Sequence, residues 1–191
     1  TTTNASGAHS FTNLNPRPDY IDQFVRPAGS KASPANVGAN DAIDSDADPI
    51  TGRTAVIPLN PGQTDNNWDA GFTPLARIGD FVWVDTNGNG QQDSGETGIN
   101  GVTVTLRDGT GALVTTDGLG NSIVPVLTAN NPVGGAPGWY QFADLNAGSY
   151  IVEFTLPSGY IFTHQNVGND ASDSDADRVT GLTGVYTLGW G

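Results

Sequence analysis

Short runs of alternating apolar and polar residues recur along the second half of the chain. They occupy residues 78–84, 101–106, 112–116, 138–142 and 149–154. Successive side chains of a β-strand point to opposite faces, so a period of two predicts strands that are buried on one face. Asp-Gly, Asn-Gly and Asn-Ala-Gly turns bound these runs, and no stretch keeps a helical period. The pattern predicts an all-β fold of antiparallel strands packed as a sandwich.

The apolar pattern occurs twice. Residues 11–48 contain FTNLNPRPDYIDQF and then NVGANDAIDSDAD, and residues 142–177 contain FADLNAGSYIVEF and then NVGNDASDSDAD. This repeat predicts tandem modules at 1–72 and 77–191, joined by a linker at 73–76. The strand runs that open the second module have no counterpart in the first. The first module is therefore predicted to be the back half of a sandwich whose front strands are missing.

The second module also holds an extra stretch at about 118–138, where the first module continues almost directly. Surface connections tolerate such growth at little entropic cost, and they often carry binding contacts. We therefore expect residues 118–138 to form a surface loop.

A dodecamer at residues 85–96 reads DTNGNGQQDSGE and matches the calcium-loop pattern D-x-[DN]-x-[DN]-G-x₅-E at every position. Ca²⁺ takes six to eight hard oxygen ligands, and alternate residues of a tightly wound loop turn theirs inward. A plain Asn-Gly turn between two strands is the alternative. The expected ligands are Asp85, Asn87, Asn89, Gln91 through its carbonyl, Asp93 and Glu96.

Two acidic clusters are the second group of candidate metal ligands. Each contains the sequence DSDAD, preceded by one further aspartate, so several carboxylates crowd into a short segment. Like charges this close repel one another unless a cation lies between them, although most charge runs are only solvated loops. The candidate ligands are Asp170, Asp173, Asp175 and Asp177 in the second module, and Asp41, Asp44, Asp46 and Asp48 in the first.

The overall charge narrows the choice of partner. The chain has 7 Lys and Arg against 20 Asp and Glu, for a formal net charge of −13, and it has no Cys. Nucleic acids and anionic membrane surfaces attract basic patches, so neither is an expected partner. Disulfide bonds and thiol chemistry are excluded.

The residues from Ile78 to Gly111, with residues 140–160, resemble the calcium-binding B-type repeat of serine-aspartate-repeat surface proteins, within the Cna-B-like and prealbumin-like sandwiches. The resemblance covers residues 77–191, and its back half covers about 5–72. It implies an extracellular or cell-surface location, Ca²⁺ as the cofactor, and tandem modules that calcium makes rigid.

Related Cna-B-like domains carry an internal Lys–Asn isopeptide bond that an acid promotes, and Glu153 lies in a strand where such an acid could sit. Lys31 is the only lysine, however, so the second module cannot form this bond. Its stiffness is expected to come from calcium and packing.

No nucleophile–base pair, phosphate loop or zinc motif accompanies His9 and His164, so we do not expect an enzyme. The leading interpretation is a structural module of a bacterial stalk, fibre or filament. The alternative is an adhesin module whose loops bind a host protein or a glycan. The incomplete first module is either a slice of a longer array or is completed by strands from another subunit, and self-association is slightly favoured.

Overall fold

The structure, a computed structural model, describes residues 1–38, 40 and 42–190. The chain divides into two compact units, unit 1 at Thr1–Thr73 and unit 2 at Pro74–Gly191. The described residues form ten β-strands and no helix, which confirms the all-β prediction.

Four short strands belong to unit 1, β1 (Arg17–Tyr20), β2 (Ser30–Ala32), β3 (Ile57–Leu59) and β4 (Phe72–Pro74), of which β4 extends one residue past the unit boundary. Strand β1 pairs antiparallel with β3, and β2 is hydrogen-bonded to β4, so the unit contains two separate two-stranded sheets. Few apolar side chains are buried here, because no further strands cover these sheets in the described part of unit 1.

Unit 2 contains the longer strands. They are β5 (Ala76–Phe81), β6 (Thr103–Asp108), β7 (Val126–Leu127), β8 (Trp139–Leu145), β9 (Gly148–Phe154) and β10 (Tyr186–Leu188). One sheet has the order β10-β9-β6-β7, and the other pairs β5 with β8. The β5–β8 and β6–β9 pairings are antiparallel, with Ile78 opposite Phe142 and Leu106 opposite Val152.

The core of unit 2 lies between these two sheets. Alternate residues of β6, β8 and β9 point inward, as the period-two pattern predicts. The buried cluster consists of Val104, Leu106, Tyr140, Phe142, Leu145, Tyr150 and Val152. Burying a side chain of this size stabilises the fold by roughly 1.5–3 kcal/mol, so this cluster supplies most of the apolar stabilisation of the unit.

The same residues of the repeat are exposed in unit 1. Phe142 is 4% exposed and its counterpart Phe11 is 52% exposed, while Leu145 is 1% exposed and Leu14 is 42% exposed. In unit 2 these positions are covered by β5 and β6. The described part of unit 1 has no strands equivalent to β5 and β6, which explains the difference.

Local structure in the two back halves is nevertheless the same. The hydroxyl of Tyr150 donates to the carbonyl of Asn146 at 2.9 Å, as Tyr20 does to Asn15 at 2.9 Å. After each acidic cluster a turn closes on a glycine with positive φ, Gly181 or Gly52, whose carbonyl accepts from Phe154 or Phe24. A side chain at either glycine would collide with the carbonyl of that phenylalanine. The repeated sequence therefore forms these hydrogen bonds in both units.

Two expectations about secondary structure need correction. Residues 118–138 are more than a surface loop, because β7 lies within them and pairs with β6, Val126 opposite Val104. Residues 112–116 form no continuous strand; Leu113 and Thr116 make only isolated bridges, to Arg107 and Ser122. The module bounds 1–72 and 77–191 stay predictions. The boundary between the two compact units, after Thr73, falls within the predicted linker.

Candidate metal centre

The dodecamer loop, residues 85–96, connects β5 to β6 and therefore joins the two sheets of unit 2. Its first residue organises the turn. Asp85 Oδ1 accepts the amides of Gly88 at 2.7 Å and Asn89 at 3.2 Å, and Oδ2 accepts the amide of Gly90 at 2.7 Å. Burial on its own would raise the pKa of Asp85, but these bonds and one from the Thr163 hydroxyl outweigh it and lower the pKa.

The next candidate ligands of the loop converge on one point. The side-chain amides of Asn87 and Asn89 both donate to Asp93 Oδ2, at 2.9 and 2.8 Å. Glu96 closes the loop, since its carboxylate accepts the amides of Thr86 at 2.7 Å and of Asp93 at 3.1 Å. A half-turn of each asparagine amide would direct its oxygen toward the same point, and oxygen donors of this kind suit Ca²⁺.

The dodecamer loop is docked against a distant acidic segment, residues 164–177. Gln92 donates its amide to the carbonyl of Ser172 at 2.7 Å, and Ser174 donates to the carbonyl of Gly90 at 2.9 Å. Thr163, just ahead of this segment, donates its hydroxyl to Asp85 Oδ2 at 2.5 Å. The Gln91 side chain donates to the carbonyl of Val167 at 2.8 Å. The two groups of candidate ligands in unit 2 therefore form one connected region.

Three carboxylates of the acidic segment come together. One ligand oxygen from each of Asp170, Asp173 and Asp175 lies within 4.8 Å of the others. Asp173 is 7% exposed, and its Oδ1 is buried without a hydrogen-bond partner among the described residues. A buried acceptor with no donor is costly, and a cation at this carboxylate triad would satisfy it.

Asp175 links the carboxylate triad to the sheet. Burial raises the pKa of Asp175, and the nearby carboxylates of Asp170 and Asp173 raise it further, against a hydrogen bond from the Tyr186 hydroxyl that lowers it. Tyr186 lies on β10. A cation bound by the triad would therefore also fix the edge strand of the larger sheet.

The described part of the acidic cluster of unit 1 also contains a buried carboxylate oxygen without a hydrogen-bond partner among the described residues. Asp44 is the counterpart of Asp173, and its Oδ1 is likewise buried without a partner among the described residues. Asp46, the counterpart of Asp175, is 6% exposed, and its Oδ2 accepts the amide of Asp69 at 2.6 Å. Asp41, the counterpart of Asp170, lies outside the described residues.

The last aspartate of each cluster has a different local task. Asp177 Oδ1 accepts the amides of Val179 at 3.0 Å and Thr180 at 2.8 Å, together with the Thr180 hydroxyl. Asp48 makes the same bonds to Thr51. The amide and then the hydroxyl of that threonine lower the pKa of each aspartate. These carboxylates hold their own turns, and their role as metal ligands, like that of the other candidates, stays a prediction.

Other polar residues singled out by the sequence are engaged in local pairs. Glu153 Oε2 accepts from Arg107 Nε at 2.8 Å. His9 Nε2 lies 3.1 Å from Asp22 Oδ2, and its ring packs edge-on against Phe24 at 5.1 Å. Neither arrangement places a nucleophile beside a base.

Thr163 and Tyr186 were not identified from the sequence. Thr163 contacts Asp85 from 78 positions along the chain, and Tyr186 contacts Asp175. No local motif marks either residue. Their only signal is that each lies close in sequence to a repeated element: Thr163 precedes the second NVG motif, and Tyr186 follows the second acidic turn.

Comparison with known proteins places the chain among repeat-containing relatives. The sequence model of the SdrD B-like domain matches residues 1–72 and again residues 76–191. Serine-aspartate repeat-containing protein F of Staphylococcus epidermidis is 38% identical over 184 residues, 94% of this chain and 10% of the relative. Serine-aspartate repeat-containing protein D of Staphylococcus aureus strain Newman is 39% identical over 186 residues, 97% of this chain and 12% of the relative. The chain thus spans about a tenth of the length of these relatives.

Among the described residues, no helix has the length and apolar character needed to cross a membrane.

Proposed function

The chain belongs to the SdrD B-like domain family, and we propose that it is a calcium-stiffened structural module of a bacterial cell-surface stalk or fibre. The observation that carries the proposal is the docking of the dodecamer loop on the acidic segment, with a buried and unpartnered Asp173 oxygen inside the carboxylate triad. Both groups of candidate ligands consist of hard oxygens, which suit Ca²⁺ and not the softer transition metals.

Calcium would hold together two segments that connect the strands of unit 2. The dodecamer loop joins β5 of one sheet to β6 of the other, and the acidic segment joins β9 to β10. Asp85, Asn87, Asn89, Gln91, Asp93 and Glu96 would hold an ion in the loop, and Asp170, Asp173 and Asp175 would hold one beside it. Each ion would offset repulsion between carboxylates in a chain of net charge −13 and restrict the opening of the sandwich.

The structural interpretation is favoured over the adhesin alternative by the close agreement of the two back halves. Turns, tyrosine hydrogen bonds and the unpartnered aspartate oxygens recur in both units. Recognition of a host protein or glycan needs a surface that differs from the repeated scaffold, whereas load-bearing modules need only repeat it. We therefore propose a non-enzymatic, structural role on the cell surface.

The proposal also includes a protein partner. Phe11 and Leu14 are exposed where their counterparts are covered by β5 and β6, so unit 1 fits a front segment with the pattern of residues 76–108. The partner that fits is the front segment of a further B-type module, either an adjacent module of the same protein or one from another subunit.

Calcium removal tests the proposed function. The full chain is melted in saturating Ca²⁺, in Mg²⁺ and in a chelator, and a calorimetric titration measures the affinity. A ligand that binds only the native state stabilises it by about 2.7 kcal/mol at a hundredfold excess over Kd, so we expect unit 2 to melt several degrees lower in chelator. Mg²⁺ should replace Ca²⁺ poorly, because it demands a stricter octahedral shell. Equal melting curves in calcium and chelator would refute the proposal.

A further inference from the structure

The residues that lead out of unit 1 are bound by that unit's own acidic cluster. We call residues 68–72, Trp-Asp-Ala-Gly-Phe, the linker segment. The amide of Asp46 donates to the carbonyl of Asp69 at 2.8 Å, while Asp46 Oδ2 accepts the amide of Asp69 at 2.6 Å. The amide of Gly71 donates to Ser45 Oγ at 3.2 Å, and its carbonyl accepts from Ser33 at 2.9 Å.

Gly71 allows this close approach. A Cβ at Gly71 would lie 2.8 Å from Ser33 Oγ and 3.1 Å from Ser33 Cβ, so any larger side chain would press on Ser33. Phe72 follows directly in β4, which is hydrogen-bonded to β2. The linker segment thus combines main-chain pairing, one closely packed glycine and one aromatic side chain.

The receiving residues recur in unit 2. By the repeat, Ser33, Ser45 and Asp46 correspond to Thr163, Ser174 and Asp175. The parallel bridge that holds this region in place recurs as well, joining Ala35 to Ser45 in one unit and Gln165 to Ser174 in the other. In unit 2 the counterpart of β2, residues 160–162, is described but belongs to no strand pair. In unit 2 the Thr163 hydroxyl bonds Asp85, the Ser174 amide bonds the carbonyl of Gly90, and Asp175 accepts from Tyr186. Among the described residues, no segment pairs with the main chain of residues 160–163 as the linker segment pairs with β2 and Ser33.

A cavity lies where the linker segment would fit. In unit 1 a cavity of about 210 Å³ is lined by Phe24, Ala32 and Ala47 together with Gly71 and Phe72 of the linker segment. In unit 2 the corresponding groove, about 460 Å³, is lined by the counterparts Phe154, Phe162 and Ala176.

The walls of this groove suit an extended peptide. Tyr140 and Leu156 add apolar surface, and Trp83 also lines the groove, as do the carboxylates of Asp80, Asp85, Asp173 and Asp175. The indole N–H of Trp83 is buried without a hydrogen-bond partner among the described residues, so it is a donor that a peptide carbonyl could satisfy. Asp175 is less buried than Asp46, as expected if the residues that cover Asp46 in unit 1 have no equivalent here.

We propose that the groove of unit 2 binds a module linker of the Trp-Asp-Ala-Gly-Phe type, by β-augmentation along Thr163 and Ser174, with its phenylalanine in the apolar groove. Each B-type module would then hold the segment that connects it to another module next to its own acidic cluster. Asp46 and Asp175 are themselves candidate metal ligands. The acidic cluster of each unit would therefore also set the direction of the linker. The contacts themselves are main-chain bonds and one aromatic side chain, so the inference extends beyond calcium binding.

A peptide titration tests the inference on the full chain. The ¹⁵N-labelled protein in saturating Ca²⁺ is titrated with a synthetic peptide of residues 64–74, TDNNWDAGFTP. We expect amide shifts at Thr163, Ser174 and Asp175, and none at Ser33, Ser45 and Asp46, because unit 1 is already filled. The control peptide with the Gly71→Val change should bind at least tenfold more weakly, since its side chain cannot enter.

A tethered version covers the case of weak affinity. Residues 60–74 are joined directly after Leu188, which reproduces the spacing that follows β3 in unit 1 and raises the effective concentration of the segment. Amide exchange at Thr163 and Asp175 should slow at least tenfold, and the same tail with Gly71→Val should leave it unchanged.

Three results would overturn the inference: no protection from the tail, equal binding of the two peptides, or equal shifts in both units. A failure of the calcium proposal is seen separately, as melting curves of the unmodified chain that do not respond to chelator.

Discussion

Gly90 is the residue at which the dodecamer loop meets the acidic segment. Its φ is +83°, and a Cβ there would lie 2.5 Å from the carbonyl oxygen of His164. Gly88 has a similar positive φ of +70° but faces open space. A substitution at Gly88 therefore introduces backbone strain alone, whereas one at Gly90 introduces the same strain and a steric clash.

We expect Gly88→Ala to destabilise unit 2 by about 1 kcal/mol, the usual strain of a left-handed alanine. Gly90→Ala should cost about 3 kcal/mol, because overpacking against His164 is added to the same strain. It should also weaken calcium binding, since the loop can no longer pair with Ser174. Denaturant unfolding and calcium titration of both variants measure this, and equal losses would contradict the docked geometry.

A substitution at Asp173 is predicted to change the stability of unit 2 in opposite directions with and without calcium. Its buried Oδ1 has no partner among the described residues, so Asp173→Asn should stabilise unit 2 in chelator by relieving a buried charge. In saturating calcium the same change should lower the melting temperature, because a ligand is lost. Asp144→Asn is the matched control: it removes the same charge at a residue with φ +53° that asparagine tolerates. A Tm that shifts in the same direction in both conditions would argue against a cation at the triad.

The sequence predicted some features of individual residues but not the contacts between distant segments. The loop motif predicted roles for Asp85 and Glu96 from their spacing, and both carboxylates accept main-chain amides within the loop. It could not show that Gln92 bonds to Ser172 or that Thr163 bonds to Asp85. Those contacts join residues about eighty positions apart, and their register is set by how the two sheets close.

At the scale of elements, period-two alternation located β5, β6, β8 and β9 to within a few residues, because each buries one face. It missed β7, since Val126 and Leu127 are too few to show a period, and their strand character comes from pairing with β6. It overestimated residues 112–116, where Val-Thr-Thr favours strand but only isolated bridges form, to Arg107 and Ser122. Short edge segments are decided by available partners and not by intrinsic propensity.

The turn after β6 offers a pH test at an element that is not a candidate metal site. Hydrogen bonds from the Thr110 hydroxyl and then the Thr110 amide lower the pKa of Asp108, against a smaller opposing effect of burial. A carboxyl whose folded pKa is lowered contributes stability above its unfolded pKa, near 4, and loses it as the pH falls through the folded pKa.

Thr110→Val removes the hydroxyl, so the titration midpoint of Asp108 should move up toward its ordinary value. Carbon-detected NMR titration from pH 7 to 2 follows it directly, and Thr110→Ser should keep the lowered midpoint because it retains the donor. An unchanged midpoint in Thr110→Val would show that the hydroxyl bond does not form.

For the whole molecule, the two units share a pattern but differ in how much of it is buried. Leu145 is 1% exposed and Leu14 is 42% exposed at the same position of the repeat. Leu145→Ala should therefore destabilise unit 2 by about 2–5 kcal/mol, while Leu14→Ala should change unit 1 by less than about 1 kcal/mol. Calorimetry of the full chain should show two transitions, the lower one from unit 1, and similar losses for the two variants would mean that unit 1 has a closed core.

If unit 1 is open because it lacks a front segment, supplying one should close it. We expect residues 76–108, joined ahead of Thr1 by a flexible tether, to raise the unit 1 transition by several degrees and to make Leu14→Ala as costly as Leu145→Ala. The effect must depend on which face of the added strand is apolar. Val104 and Leu106 point into the core of unit 2, whereas Thr105 lies on the other face, opposite Glu153. Val104→Asp in the added segment should abolish the gain, and Thr105→Asp should keep it. A gain with both, or with neither, would mean that the exposed residues of unit 1 do not form a strand-binding face.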